Sequence, residues 1–169
     1  MEKYITLLFV CCLGSLFFSF TFSPEEETAA KGIDFFKGTF QEALALAEKE
    51  QKYVFVDVYA TWCGPCKQLK RTTFKDKEVG AYFNKNFINI AIDGETEEGD
   101  KILSRYNIRS YPTLLILDAK GRLQTKHSGF MKPYILINFG RRIVPWVDGF
   151  CKFFNYQNLL YYFYILSYH

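Results

Sequence analysis

The chain has 169 residues, which suits one domain with flanking segments. Its formal net charge is only +3, from 21 Lys and Arg against 18 Asp and Glu. Without a dense basic block, this charge balance argues against a nucleic-acid-binding protein, and we expect no nucleic-acid partner.

The first 23 residues have the pattern of an export signal. Lys3 provides a positive start, residues 4–22 carry no charge and are mostly apolar, and Ser23 is a small residue at a suitable cleavage position. We therefore predict a signal peptide over residues 1–23 and a linker over residues 24–34. An uncleaved N-terminal anchor is the alternative, because the uncharged run just reaches the length of a membrane-spanning helix.

A helix, a buried strand and a second helix are predicted next. A capping-box pattern at Thr39 opens a helix that extends to about Glu50. The apolar run Tyr53–Tyr59 predicts a strand in the middle of a sheet. The following helix starts at the cysteine pair described below and extends to about Thr73, with Pro65 in its first turn.

The remaining elements continue the alternation of helices and strands. We predict a helix capped by Asp76, a strand at Phe87–Asp93, an acidic loop over 94–99, a helix over 100–106, strands at 113–117 and 123–128 joined by a turn, and a last helix from Pro133 to about Ile143. A strand at residues 33–36 has weaker support. The order predicts an α/β fold with a mixed sheet and helices on both faces.

The run Trp62-Cys63-Gly64-Pro65-Cys66 directly follows the first predicted strand. Two cysteines at this spacing can close a small disulfide ring and reopen it. Because Cys63 precedes a helix, backbone N–H groups and the helix dipole favour its thiolate, which is the nucleophilic form. This pattern indicates a dithiol–disulfide exchanger with Cys63 as the more exposed, attacking sulfur and Cys66 as the resolving one.

Asp57 lies in the middle of the preceding strand, with two apolar residues on each side. We expect burial to raise its pKa, so that it can accept the Cys66 proton directly or through water. Metal binding is the other chemistry of such a cysteine pair, but the remaining candidates Cys151, His127 and His169 show no ligand spacing. We expect no metal, and no cofactor beyond the Cys63–Cys66 disulfide.

Five cysteines become three once residues 1–23 are removed, and Cys151 then has no partner or assigned role. It lies in an aromatic tail predicted over 144–169, where residues 150–169 hold nine Phe or Tyr and one charge. The tail fits an interfacial membrane segment, a docking segment or a non-native extension produced by a frameshift. The abrupt change of composition favours the last.

These residues closely resemble the thioredoxin superfamily over about 35–143. The resemblance rests on the cysteine pentapeptide, on Asp57, on Ser110-Tyr111-Pro112-Thr113 and on Gly129. The stretch Phe74–Val79 is similar to one in the periplasmic C-terminal domain of the membrane thiol reductase DsbD and in related exported proteins. Asn89 stands where cytosolic thioredoxins place a lysine near the buried aspartate, so Asp57 would lack that partner.

The resemblance implies a thioredoxin-like fold and further site residues. Pro112 would follow a cis peptide bond, Tyr111 would offer backbone groups to an extended substrate, and Trp62 would form part of the docking surface. Gly64 and Pro65 would tune the ring and its potential.

The expected function is that of an exported thiol–disulfide oxidoreductase that reduces protein disulfides in a bacterial periplasm. We expect it to act as a monomer on protein thiols and disulfides, with a membrane reductase as electron donor. A disulfide oxidase or isomerase is the alternative within the same chemistry. A peptide-binding module that uses the Pro112 groove is the alternative outside it.

Overall fold

The computed structural model describes residues 32–145. The predicted signal peptide or anchor, most of the predicted linker and residues 146–169 of the tail lie outside the described residues. Within 32–145, no helix has the length and apolar character needed to cross a membrane.

Five α-helices and four strands alternate along the described part of the chain. In chain order they are α1 (Phe40–Glu50), β1 (Tyr53–Tyr59), α2 (Gly64–Arg71), a 3-10 turn (Thr73–Lys75), α3 (Lys77–Asn86), β2 (Phe87–Asp93), α4 (Glu97–Arg105), β3 (Thr113–Leu117), β4 (Leu123–Ser128) and α5 (Pro133–Arg141). The four predicted strands are confirmed with their bounds, and the capping box of α1 is present at Thr39.

The start of α4 and one weakly supported strand differ from the prediction. The prediction for α4 was wrong by three residues, because the Thr96 hydroxyl accepts a hydrogen bond from Gly99 N and the helix begins at Glu97. The loop before it is therefore only residues 94–96. Residues 33–36 form no strand, although Phe36 N donates to Asn89 O at 2.7 Å along the edge of β2.

The sheet has the order β2-β1-β3-β4, so β1 lies in its interior. Strand β1 is parallel to β2 and antiparallel to β3, and β4 is antiparallel to β3. The predicted mixed sheet is confirmed. Helices α1 and α4 cover one face, while α2, α3 and α5 cover the other, as the two buried clusters show.

Alternation along β1 decides which of its side chains meets which helix layer. Val54, Val56 and Val58 pack into the cluster with α1 and α4. Phe55 packs into the cluster that contains Leu69 of α2. Asp57, two residues further along the strand, therefore points to the face that carries the cysteine helix.

The 3-10 turn after α2 overlaps the start of the stretch that resembles DsbD, and the side chains there have structural contacts. The Thr73 hydroxyl is buried and donates to Met131 O at 2.6 Å, and the Phe74 ring contacts Phe35 and Phe55 edge-on. Asp76 caps α3, because its Oδ1 accepts hydrogen bonds from the first turn of that helix. Thr73, Phe74 and Asp76 thus fix how the end of α2 joins the rest of the domain.

Candidate active site

Cys63 and Cys66 lie where β1 has ended and α2 begins, and they form a disulfide with a Cα–Cα distance of 5.3 Å. Cys63 is the N-cap residue of α2, and its Sγ accepts a hydrogen bond from Cys66 N at 3.2 Å. Pro65 lies in the first turn, where its missing N–H costs nothing. The predicted position of the Cys63 sulfur at a helix N-terminus is confirmed, and it favours a thiolate there after reduction.

The expected difference in exposure between the two cysteines was wrong. Cys63 is 3% exposed and Cys66 is 6% exposed, so both are buried in the disulfide form. Cys63 is the N-cap residue of α2, and Tyr59 and Tyr111 pack against the cysteine pair. What distinguishes Cys63 is therefore its N-cap position rather than its exposure.

Asp57 is 7% exposed, and its Oδ1 has no hydrogen-bond partner among the described residues. Burial raises the pKa of Asp57 to about 7, and the positive charge of Lys70 partly opposes that rise. The predicted burial is confirmed, and it is the cause of the raised pKa. A carboxyl with this pKa can gain or lose a proton near neutral pH, as a proton acceptor must.

Two titratable side chains interact with Asp57, one from helix α2 and one from its own strand. Lys70, on α2, lies one helical turn after Cys66 and hence on the same side of that helix. Tyr59 lies two residues along β1 from Asp57, and burial, Asp93 and Asp57 all raise the Tyr59 pKa. The sequence did not indicate Lys70 as a partner.

Asn89, at the position of the family lysine, has a structural use. It is buried, and its side-chain amide donates to Asp34 O at 3.2 Å and to Asn84 Oδ1 at 3.1 Å. Asn84 in turn accepts from Asp34 N and donates to Gly32 O. The asparagine therefore holds the segment that leads into the domain.

The Tyr111–Pro112 peptide bond is cis, as the resemblance implied. Pro112 is buried, and its carbonyl oxygen accepts a hydrogen bond from Gly129 N at 2.8 Å. Gly129 has a φ of +106°, which a residue with a side chain rarely adopts. This hydrogen bond fixes the start of β3 against the end of β4.

Trp62 is the outermost residue of the site, with 67% of its surface exposed. Its ring meets the Tyr111 ring edge-on, with centroids 5.9 Å apart. Gly64 and Pro65 are also exposed. The structure thus brings Trp62, Tyr111 and the disulfide together at one surface, whereas Asp57 lies on the inner side.

Sequence reasoning missed Glu95. The Tyr111 hydroxyl donates to Glu95 Oε1 at 3.2 Å, although the two residues are 16 apart in sequence. The acidic loop was visible in the sequence, but nothing there indicates which carboxylate faces Tyr111. For metal binding, residues 32–145 contain no group of three or more His, Cys, Asp or Glu side chains suitably placed.

A disulfide at a helix N-terminus, with Tyr111 of a cis-proline peptide bond packed against it on this fold, is the arrangement of a thiol–disulfide oxidoreductase. A family model described as a thioredoxin-like domain matches residues 40–143. The chain belongs to this thioredoxin-like family.

Individual relatives agree with that assignment. The thiol:disulfide interchange protein DsbD of Vibrio vulnificus is 30% identical over 144 residues, covering 80% of this chain and 24% of the relative. A solved structure from Bacteroides thetaiotaomicron, named as a disulphide-isomerase, is 39% identical with a TM-score of 0.61, covering 70% of this chain and 98% of that one. The oxidised C-terminal domain of Neisseria meningitidis DsbD is 26% identical with a TM-score of 0.54, covering 64% and 98%.

The coverage is unequal for the DsbD relatives. The chain spans between 13% and 24% of the length of the five first DsbD proteins that it matches. The likeness therefore concerns one domain of those proteins. Together with the Cys63–Cys66 disulfide, it supports thiol–disulfide oxidoreductase activity.

Proposed function

We propose that the protein is an extracytoplasmic enzyme that reduces protein disulfides through a Cys63–Cys66 dithiol/disulfide cycle. The observation that carries the proposal is the Cys63–Cys66 disulfide at the N-terminus of α2. Gly64 and Pro65 between the cysteines are the residues that thioredoxin uses, and thioredoxin has a low potential near about −270 mV. This similarity favours the reducing direction.

The reaction starts from the dithiol form. The Cys63 thiolate attacks one sulfur of a substrate disulfide, forms a mixed disulfide and releases the other substrate sulfur as a thiolate. Cys66 then loses its proton, attacks Cys63 Sγ and releases the second substrate thiolate. The substrate gains two electrons and the enzyme returns to the disulfide form.

Asp57 is the proposed acceptor of the Cys66 proton. Its pKa of about 7 leaves a useful fraction ionised at neutral pH, and its place on the face beneath α2 suits transfer directly or through one water. The positive charge of Lys70 favours the ionised form that accepts the proton. Proton loss from Cys66 then generates the second nucleophile.

A further turnover needs two electrons from a donor dithiol. We propose a membrane reductase for this role, because the export signal pattern of residues 1–23 favours a location outside the reducing cytosol. The N-terminus of the protein recovered from its source cells tests this location. A start at Pro24 supports cleavage and export, and retention of Met1 with a protease-inaccessible domain contradicts it.

The reduction potential tests the direction of the chemistry. The purified full chain would carry Cys11→Ser, Cys12→Ser and Cys151→Ser, so that only Cys63 and Cys66 can titrate against a dithiothreitol redox buffer. A value near about −250 mV or lower supports a reductase. A chain with Cys63→Ser in addition serves as the control that shows no two-electron couple.

The second candidate is a disulfide isomerase or oxidase. It is favoured by the similarity to the Bacteroides thetaiotaomicron protein, nearly all of which this chain covers. A potential of about −120 to −180 mV would select it over the reductase. Absence of any reversible couple would reject both and leave a peptide-binding module.

A further inference from the structure

The Tyr111 side chain is held from two directions on the outer side of the disulfide. Its hydroxyl donates to Glu95 Oε1 at 3.2 Å, and its ring lies edge-on to Trp62 at 5.9 Å between centroids. Gly94 leaves the space that the ring occupies, because a Cβ there would overlap the Tyr111 hydroxyl and ring. Glu95 thus lies at the far end of a short chain of contacts that reaches Trp62.

We propose that Glu95 is a positioning residue for substrate binding, because its carboxylate holds Tyr111 and, through the Tyr111 ring, Trp62 in the arrangement that receives a polypeptide. The inference rests on the proposed function. Glu95 meets the site through its hydrogen bond to the Tyr111 hydroxyl, so we assign it an effect through Tyr111 rather than on the reacting atoms.

The hydroxyl of Tyr111 is a dependable donor at this place. Burial, the hydrogen bond to Glu95 and the charges of Glu95, Asp93 and Asp100 all raise the Tyr111 pKa above its ordinary value. The proton therefore stays on the hydroxyl throughout the physiological range. The hydroxyl can therefore donate to Glu95 at the pH at which the enzyme works.

Holding the Trp62 and Tyr111 rings in place should improve the binding of a polypeptide substrate more than that of a small disulfide. Trp62 is largely exposed, and an exposed ring that is already ordered loses less conformational entropy when a partner packs on it. A polypeptide that extends past the disulfide meets both rings. A small disulfide needs only access to Cys63.

The test compares Glu95→Ala with wild type in the full chain, using insulin as the polypeptide substrate, dithiothreitol as the reductant and Ellman's reagent as the small disulfide. We expect KM for insulin to rise about two- to tenfold, the range of one lost hydrogen bond. We expect kcat for insulin, and the rate with Ellman's reagent, to stay unchanged. Glu95→Gln keeps an acceptor oxygen and should restore the wild-type KM.

Two further variants show that the effect passes through the Tyr111 hydroxyl. Tyr111→Phe should raise KM to the same extent, and the double variant should be no worse than either single variant, because each removes the same bond. Glu97→Ala is the matched control, since Glu97 is an exposed carboxylate two residues away that pairs with Lys101. It removes the same charge without touching Tyr111.

Trp62 emission gives a readout that is independent of turnover. In a Trp146→Phe background, Trp62 is the one remaining tryptophan. With tryptophan-selective excitation, Glu95→Ala should shift its emission, whereas Glu97→Ala should not. Equal effects of the two variants on KM, or an unchanged KM in Glu95→Ala, would overturn the inference. A wild-type enzyme that fails to reduce insulin would instead reject the proposed function, and the emission shift would still decide whether Glu95 positions Trp62.

Discussion

The inner and outer sides of the Cys63–Cys66 disulfide are built in different ways. On the inner side, Asp57 is 7% exposed in the middle of an interior strand, and its Oδ1 has no partner among the described residues. On the outer side, Trp62 is 67% exposed and lies against Tyr111. On the inner side, burial of Asp57 sets its pKa and hence its use in proton transfer. On the outer side, exposed aromatic side chains form the surface proposed to bind substrate.

The difference predicts how each side responds to substitution. An inner change alters the charge or packing of the core, so it should affect both stability and reaction rate. An outer change should affect substrate binding and leave stability nearly unchanged. Three experiments test this separation.

The largest effect is expected at the cysteines themselves. Cys63→Ser should lower insulin reduction by at least about a thousandfold, because the attacking sulfur is lost. Cys66→Ser should also abolish turnover, but it should accumulate the mixed disulfide on Cys63, which mass spectrometry of the trapped complex would detect. Wild-type turnover by Cys66→Ser would contradict the assignment of the resolving sulfur.

The next effect concerns the stability of the inner side. Folding raises the pKa of Asp57 to about 7 from its ordinary value of 3.8, so the folded chain binds this proton more tightly. The contribution of Asp57 to stability should be greatest below about pH 4, fall as the pH rises towards 7 and stay lower above it. Asp57→Asn should therefore stabilise the oxidised protein at pH 8 by about 2–4 kcal/mol, with the gain disappearing near pH 4.

Urea unfolding at pH 4 and pH 8 measures this gain. Asp100→Asn, which changes an exposed carboxylate, is the matched control and should shift stability very little at either pH. In turnover, Asp57→Asn should also slow the release of the mixed disulfide at neutral pH. A stability gain that is the same at both pH values would show that the Asp57 charge is not its cause.

The smallest effect is expected on the outer side. Trp62→Ala should raise KM for insulin about tenfold, because an exposed aromatic ring at a contact surface typically contributes on the order of 1–2 kcal/mol. The urea midpoint should stay unchanged. Tyr134→Ala is the control, since Tyr134 is a 63% exposed aromatic on α5, and a similar rise in KM there would contradict a specific role for Trp62.

Much of the fold was predictable because its signals are local. The strands β1 and β3 are apolar runs with clear ends, and α1 carries its own capping box. The start of α4 was missed because its first turn consists of acidic residues that resemble a loop, and only the Thr96 hydrogen bond marks the boundary. A boundary set by a single side chain is hard to recognise in advance.

The site divides in the same way. The placement of Cys63 at the helix N-terminus and the burial of Asp57 follow from neighbouring residues. The cis bond before Pro112 was expected from the resemblance, since spacing alone favours a trans bond. Glu95 depends on a contact between segments 16 residues apart, and no local pattern encodes it.

The hydrogen bond from Thr73 to Met131 has a mechanical consequence. Thr73 begins the 3-10 turn that follows the cysteine helix, and Met131 lies two residues after Gly129, whose N–H donates to the Pro112 carbonyl oxygen. The segment that follows the cysteine helix and the segment that contains Pro112 are therefore joined through residues 129–131. The disulfide can therefore open and close in every cycle while these hydrogen bonds keep the end of the cysteine helix and the Pro112 segment in a fixed relative position.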